Sequence, residues 1–251
     1  MPSAPQPQAA DLFPRSARRK SSLPAPDLRA RALLIHDRLC AEYGCPIPYF
    51  QDLDPLSELV SSLLSHRTKN ADSGRAFAEL RRLYPDWQAL IDAPVADVEK
   101  AIRGVRWPEL KAPRIQEVLA AVKARHGSLD LDFLHAMSVE EARDWLEEIP
   151  GVGPKTSAAV LSFSVLRMAA LPVDSHHHRV AQRLGLIGPR VDVGPSHEVL
   201  RAQLPNDWDA QAIYDNHEVL MLHGQKVCFF RKPACGRCVL SDICSSAFKI
   251  A

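Results

Sequence analysis

The 251-residue chain has no long uninterrupted apolar run. The longest, Ala158 to Val173, is broken by Arg167 and Pro172 and falls short of the roughly 20 residues a membrane-spanning helix needs, so no membrane span is expected. The start, MPSAPQPQAADLFP, lacks the charged-then-apolar layout of a signal peptide, and the expected address is cytoplasmic. An excess of either charge is missing too. Lys and Arg number 31 against 30 for Asp and Glu, a net charge of +1, so nothing pulls the whole molecule toward acidic partners and only local asymmetry is informative. Strand-like alternation is almost absent. What is present, 46% hydrophobic and 24% charged residues, is ordinary for a globular protein and excludes wholesale disorder or a fibre. The length suits one large domain or two small ones.

Residues 1–28 are proline-rich and include the basic run RSARRK, Arg15 to Lys20, which reads as a disordered, positively charged extension. From Asp27 onward the apolar period is helical. Asp54 precedes Pro55, and Leu56, Leu59, Val60, Leu63 and Leu64 form one buried stripe. Ala76, Phe77, Leu80 and Leu83 repeat it. Val95, Val98 and Ile102 end at Gly104, and Ile115, Val118, Leu119 and Val122 end at Gly127, each glycine expected to stop its helix with positive φ. Ser138 and Glu141 form a capping box before Trp145, Leu146 and Ile149. Further helices are expected over Pro154–Leu166, Ser175–Leu184, Ser196–Leu204 and Asp209–His223. About ten helices and no strand make an all-α protein without internal repeats.

Six cysteines in a reducing compartment call for an explanation other than disulfides. Cys228, Cys235, Cys238 and Cys244 follow the spacing C-x6-C-x2-C-x5-C in a loop-rich tail, which a metal centre holds together better than a core does. Four thiolates suit zinc or an iron–sulfur cluster. Zinc ribbons pair two C-x2-C knuckles and only one is present, which favours a [4Fe-4S] cluster. Cys40 and Cys45 lie outside the pattern and read as a small buried hydrophobe and a loop thiol. From His223 to Ala251 there are five basic residues, Lys226, Arg231, Lys232, Arg237 and Lys249, against one acid, Asp242. Arg231 and Lys232 fall in the loop between the first two cysteines, which a cluster would hold rigid as a phosphate clamp; the alternative, simple solubility, is disfavoured by how unevenly the charge is placed.

In LEEIPGVGPKTSAAVL, Leu146 to Leu161, two helical stretches are joined by Pro150-Gly151-Val152-Gly153. Backbone donors at Gly151, Val152, Gly153 and Thr156, next to a helix N-terminus, suit a DNA phosphate. The spacing is not that of a nucleotide-triphosphate loop. Lys155 lies in the first turn of the second helix, where the dipole disfavours a cation and raises the fraction of free amine. A free lysine amine is a nucleophile able to form a Schiff base with a sugar carbon; without a partner carboxylate it would read as a phosphate contact. Asp174, in LPVDSHHHRV, is the candidate partner, or merely a cap beside Ser175.

IPGVGPKT, then VDSHHHRV, then the cysteine spacing together resemble the endonuclease III family of the helix–hairpin–helix DNA glycosylase superfamily, over roughly residues 50 to 246. The resemblance implies a two-lobed all-α fold: a six-helix barrel over 52–155 and a helical iron–sulfur lobe from 29–51 and 156–251, with double-stranded DNA carrying a damaged base or abasic site across the cleft and the protein acting as a monomer. It implies Lys155 as attacking amine, Asp174 as assisting carboxylate, and the four cysteines as [4Fe-4S] ligands. The activity implied is removal of damaged, oxidised-pyrimidine bases followed by β-elimination. Alternatives are a mismatch-directed or abasic-site-dominant relative, or a non-catalytic DNA-binding module. The chain departs from the family at LLSHRTKN, with Arg67 where Gln and Asn70 where Asp is usual, and at Ser175, where Thr is usual. The loop IRGVRWPELKAPRI is two residues longer than the family's wedge loop and offers Arg106 and Trp107 at its tip; Trp107 reads equally as a core aromatic.

Overall fold

The Asp54 carboxylate accepts from the Ser57 N–H at 2.9 Å and Pro55 follows it, fixing the start of α2 (Pro55–Ser65) where the sequence places it. A computed structural model of the protein describes residues 26–250, and the proline-rich, basic stretch at 1–25 lies outside the described residues. Among the described residues there are eleven α-helices and no strand, as expected. In chain order α2 follows α1 (Pro26–Tyr43) and precedes α3 (Asn70–Leu83), α4 (Trp87–Asp92), α5 (Val95–Ala101), α6 (Pro108–His126) and α7 (Val139–Glu147). Then come α8 (Pro154–Phe163), α9 (Ser175–Arg183), α10 (Val193–Arg201) and α11 (Ala210–Lys226). The Ser138–Glu141 capping box opens α7, and Gly127, at φ +87°, closes α6.

Two hydrophobic cores form. The first gathers Leu59, Leu80, Leu90, Ile115, Leu119 and Leu146 from α2 to α7 and reaches Leu161 in α8. The second joins Ile35 and Leu39 of α1 to Val180, Leu200, Ile213 and Leu220 of α9 to α11. Truncating any one of these buried leucines to Ala would cost on the order of 2–5 kcal/mol. Helix α1 reaches the second core across most of the chain: the Arg31 Nε–H donates to the Leu184 carbonyl at 2.9 Å, and Arg38 pairs with Asp242 at 2.7 Å. Helix α8 touches both sides, with Ala158 and Leu161 in the first core and Ala159 and Phe163 packed on Tyr214 of α11. Whatever α8 carries at its N-terminus is therefore anchored rigidly.

Several sequence expectations are corrected. Helix α5 stops at Ala101, before Gly104, which does not adopt positive φ. Helix α8 stops at Phe163 because Ser164 turns extended and its hydroxyl takes the Val160 carbonyl at 2.5 Å. Helix α10 opens at Val193 behind Asp192, and α11 runs past His223 to Lys226. Leu83 is exposed. Cys40 and Cys45 are not independent thiols: they form a disulfide. No helix among the described residues is long and apolar enough to cross a membrane.

Candidate functional site

The turn between α7 and α8 uses one glycine in the left-handed region, Gly151 at φ +98°, whereas Gly153 is extended and serves as N-cap of α8. Val152 does not offer its amide outward as the sequence suggested. Its N–H donates to the Ile149 carbonyl at 3.0 Å and its side chain is buried, so it pins the turn from inside. The Thr156 N–H is likewise directed to the Gly153 carbonyl at 2.9 Å. Pro154 and Lys155 are the first two helical residues, and the stretch Gly151 to Thr156 forms one wall of a cleft. Ser62 and His66, on α2 and its C-cap, and His197 of α10 face it.

Burial lowers the pKa of the Lys155 amine, and the charges of Glu58 and then Asp174 act the other way. Asp174 is the N-cap of α9, its Oδ1 accepting from the His177 N–H at 2.7 Å, so Ser175 is the first helical residue and not the cap. The sequence offered cap and partner as alternatives; the structure makes Asp174 a cap that also faces the Lys155 charge. Glu58, which the sequence reading passed over, is 2% exposed on α2. It accepts from Ser62 Oγ at 2.9 Å and from Gln51 Nε2. Burial pushes its carboxyl up to about 7, against the Ser62 hydrogen bond and the Lys155 charge. His217 is also buried near Lys155, its imidazole pushed down to about 3 by burial and then by the Lys155 charge. An acid embedded among the apolar residues of α2 was the available signal for Glu58. For His217 nothing in the sequence pattern pointed to the cleft.

Arg67, Arg106 and Trp107 come together from two loops. Trp107 is 39% exposed, which settles it as a surface and not a core aromatic. The Arg106 and Arg67 guanidinium carbons lie 4.8 and 5.9 Å from its ring centroid.

The four cysteines Cys228, Cys235, Cys238 and Cys244 line one cavity. Burial raises the Cys238 and Cys244 thiols, and the neighbouring thiols push in the same direction. Such crowding of prospective anions suits a cationic centre. Donors for sulfur are in place: the Leu240 and Phe248 amides point at Cys238 and Cys235 Sγ at 3.4 Å, and Arg183 Nη1 at Cys228 Sγ at 3.3 Å. Four thiols lining one cavity, with donors aimed at their sulfurs, fit an iron–sulfur cluster. The loop carrying Arg231 and Lys232 is held by Arg183, which donates to the Phe229 and Phe230 carbonyls at 2.6 and 2.8 Å, and both basic residues are exposed.

Residues 60–208 match the HhH-GPD superfamily base excision DNA repair proteins, well over half of the chain. The chain belongs to the HhH-GPD superfamily. This HhH-GPD protein is thus an enzyme of base excision repair, a DNA glycosylase similar to endonuclease III, and residues 231–244 match the iron–sulfur binding domain of endonuclease III. Its cofactor is a [4Fe-4S] cluster, as the cysteine spacing favoured. It is 30% identical over 195 residues to endonuclease III of Thermotoga maritima, covering 77% of this chain and 84% of that one. To the Escherichia coli K12 enzyme it is 28% identical over 222 residues, covering 88% and 98%. It spans 64% of the length of an Arabidopsis thaliana DNA glycosylase, to which it is 32% identical over 193 residues. The fold is shared with an endonuclease III trapped covalently on DNA, at TM-score 0.75 and 23% identity, covering 88% of this chain and 97% of that one. It is shared also with a thermostable thymine-DNA glycosylase, at TM-score 0.70 and 21% identity, covering 88% and 98%.

Proposed function

We propose that this HhH-GPD protein is a bifunctional DNA glycosylase and abasic-site lyase, acting as a monomer in the cytoplasm on double-stranded DNA that carries an oxidised pyrimidine or an abasic site. The observation that carries this reading is Lys155 at the cleft wall, its amine made less basic by burial, with Glu58 and Asp174 as facing charges. A base is rotated out of the duplex into the cleft, at a cost of a few kcal/mol that damage reduces. The Lys155 Nζ lone pair bonds to C1′ and the bond from C1′ to the base nitrogen breaks, the base leaving with that electron pair and taking up a proton. Positive charge developing at C1′ and the ring oxygen is stabilised by the Asp174 carboxylate, whose second oxygen is left over from capping. The Lys155 nitrogen gives up a proton and its lone pair breaks the C1′–O4′ bond, O4′ taking up the proton as the ring opens and Lys155 becomes an iminium; loss of the C2′ proton then breaks the C3′–O3′ bond and expels the 3′ phosphate.

Gly151, Gly153 and Thr156 form the phosphate-facing turn, Val152 fixes it from within, and Arg231 and Lys232 supply a second phosphate contact. Cys228, Cys235, Cys238 and Cys244 would hold the cluster, which gives this lobe a rigid centre and takes no part in bond breaking. We assign the barrel to 52–155 and the cluster lobe to 29–51 with 156–251. Duplexes bearing an oxidised pyrimidine and pre-formed abasic sites separate the two activities: both should be nicked, and nicking of the abasic duplex alone would reduce the protein to a lyase.

A further inference from the structure

At the end of α1 the chain closes on itself. The Gly44 and Cys45 amides both donate to the Cys40 carbonyl, at 2.8 and 3.3 Å, Gly44 turns at φ +82°, and the Cys40–Cys45 disulfide shuts the ring. Tyr43 is the side chain held by this ring. Its Oη lies 3.1 Å from Nδ1 of His223, which sits in the last turn of α11, 180 positions along the chain. The Lys226 amine lies over the phenol ring, 5.4 Å from its centroid. His223 is buried, and its other ring nitrogen, Nε2, lies 3.3 Å from Cys238 Sγ in the wall of the four-cysteine cavity. A phenol, an imidazole and a sulfur therefore stand in line, and the Lys155 chemistry uses none of them. The sulfur fixes where the hydrogens go. A cysteine that ligates iron does so as a thiolate, which accepts and cannot donate, so Nε2 carries the hydrogen that faces it. Nδ1 is then an acceptor, and the Tyr43 O–H donates to it.

We propose that Tyr43 and His223 form a hydrogen-bond relay onto Cys238 that raises the reduction potential of the bound cluster and guards it against oxidative loss. The inference rests on Cys238 being a cluster ligand, and it is independent of the catalytic role of Lys155. A hydrogen bond to a ligand sulfur draws electron density from it, so it favours the state that holds the additional electron. Once an oxidant has taken that electron, the sulfur carries less negative charge and the same donor stabilises it less. His223 is placed to act most on Cys238, whose sulfur also takes the Leu240 amide at 3.4 Å. Tyr43 is a positioning residue: by giving its hydrogen to Nδ1 it keeps Nε2 as the N–H end of the ring. What the relay protects is the cluster lobe. Without iron, nothing draws Cys228 and Cys235 together, and the loop between them that carries Arg231 and Lys232 loses its rigid base.

The test reads the cluster's midpoint potential by voltammetry on the iron-loaded full chain, beside the rate at which ferricyanide, a one-electron oxidant, bleaches its visible absorbance. His223→Leu should make oxidation about tenfold more favourable, the size expected of one hydrogen bond to a charged group. For one electron that is a shift of about 59 mV to more negative potential, and bleaching should be faster to match. Tyr43→Phe keeps the ring and its packing and should move both readouts the same way by less. His223→Gln retains an amide donor and should fall between wild type and His223→Leu; it takes the place of the leucine variant if that one loses its iron. Iron content and thermal unfolding establish that each variant is loaded and folded. A packing role alone would lower the unfolding temperature and leave the potential unmoved, so a wild-type potential in loaded Tyr43→Phe, or in the loaded His223 variant, overturns the proposal. Cys238→Ala reads the ligand assignment separately: iron should be lost, and full iron there would show that the parent assignment, and not the relay, is what failed.

Discussion

At the scale of single residues, the chemistry turns on two carboxyl groups, Glu58 and Asp174, around one amine. Asp174 is both helix cap and counter-charge. Asp174→Asn keeps an oxygen for the His177 N–H and should slow base release strongly, while borohydride trapping at pre-formed abasic sites persists because no base has to be expelled there; equal loss of both would assign Asp174 to folding alone. Glu58 makes a pH prediction. Its carboxyl is raised to about 7 in the fold from 4.5, so between those values the folded state binds the proton more tightly than the unfolded chain does. The associated stability is fully present below about pH 4.5 and is lost as pH rises through about 7. Glu58→Gln removes this dependence. Its unfolding temperature relative to wild type should climb between pH 5 and pH 8, by an amount corresponding to roughly 2–3 kcal/mol. Parallel curves for the two proteins would contradict the placement of Glu58.

At the scale of elements, helix starts were more legible than helix ends. Asp54-Pro55 and the Ser138–Glu141 box mark their own termini because the signal is a local hydrogen bond. The stop at Gly104 was misplaced because α5 ends earlier, through a cap at Ile102 that any residue can make. Lys155, Asp174 and the four cysteines announce themselves as motifs. His223, Glu58 and His217 do not, because what makes each notable is a partner 180, 97 or 62 positions away along the chain, supplied only by packing. The hairpin carries its own test. Gly151 adopts φ +98°, and a Cβ there would lie 2.6 Å from the Arg114 side chain. Gly151→Ala should therefore cost about 1–3 kcal/mol in stability and weaken DNA binding, since the turn that faces phosphate must re-form. A variant with wild-type unfolding temperature would show that the turn is not strained.

At the scale of the whole molecule, a chain of almost no net charge can hold DNA only by local concentration of positive charge. The loop between Cys228 and Cys235 is one such place, its backbone held by Arg183 and its two basic side chains exposed. Arg231→Ala or Lys232→Ala should weaken binding to all sequences alike and reduce the salt slope by about one unit per lost contact. An unchanged slope would make this charge a solvated surface. The hairpin belongs to α8, which packs into the first core and onto Tyr214 of α11, so phosphate contacts on the cluster lobe and the Lys155 amine are held in one frame. The central claim is that Lys155 is the amine that attacks the sugar, and it is read most directly by trapping the protein on an abasic-site duplex with borohydride and mapping the adduct by peptide mass spectrometry. The adduct should lie on Lys155, and Lys155→Ala, shown folded and with its iron retained, should bind the duplex without forming it. An adduct on any other residue, or one formed by Lys155→Ala at the wild-type rate, would contradict the account.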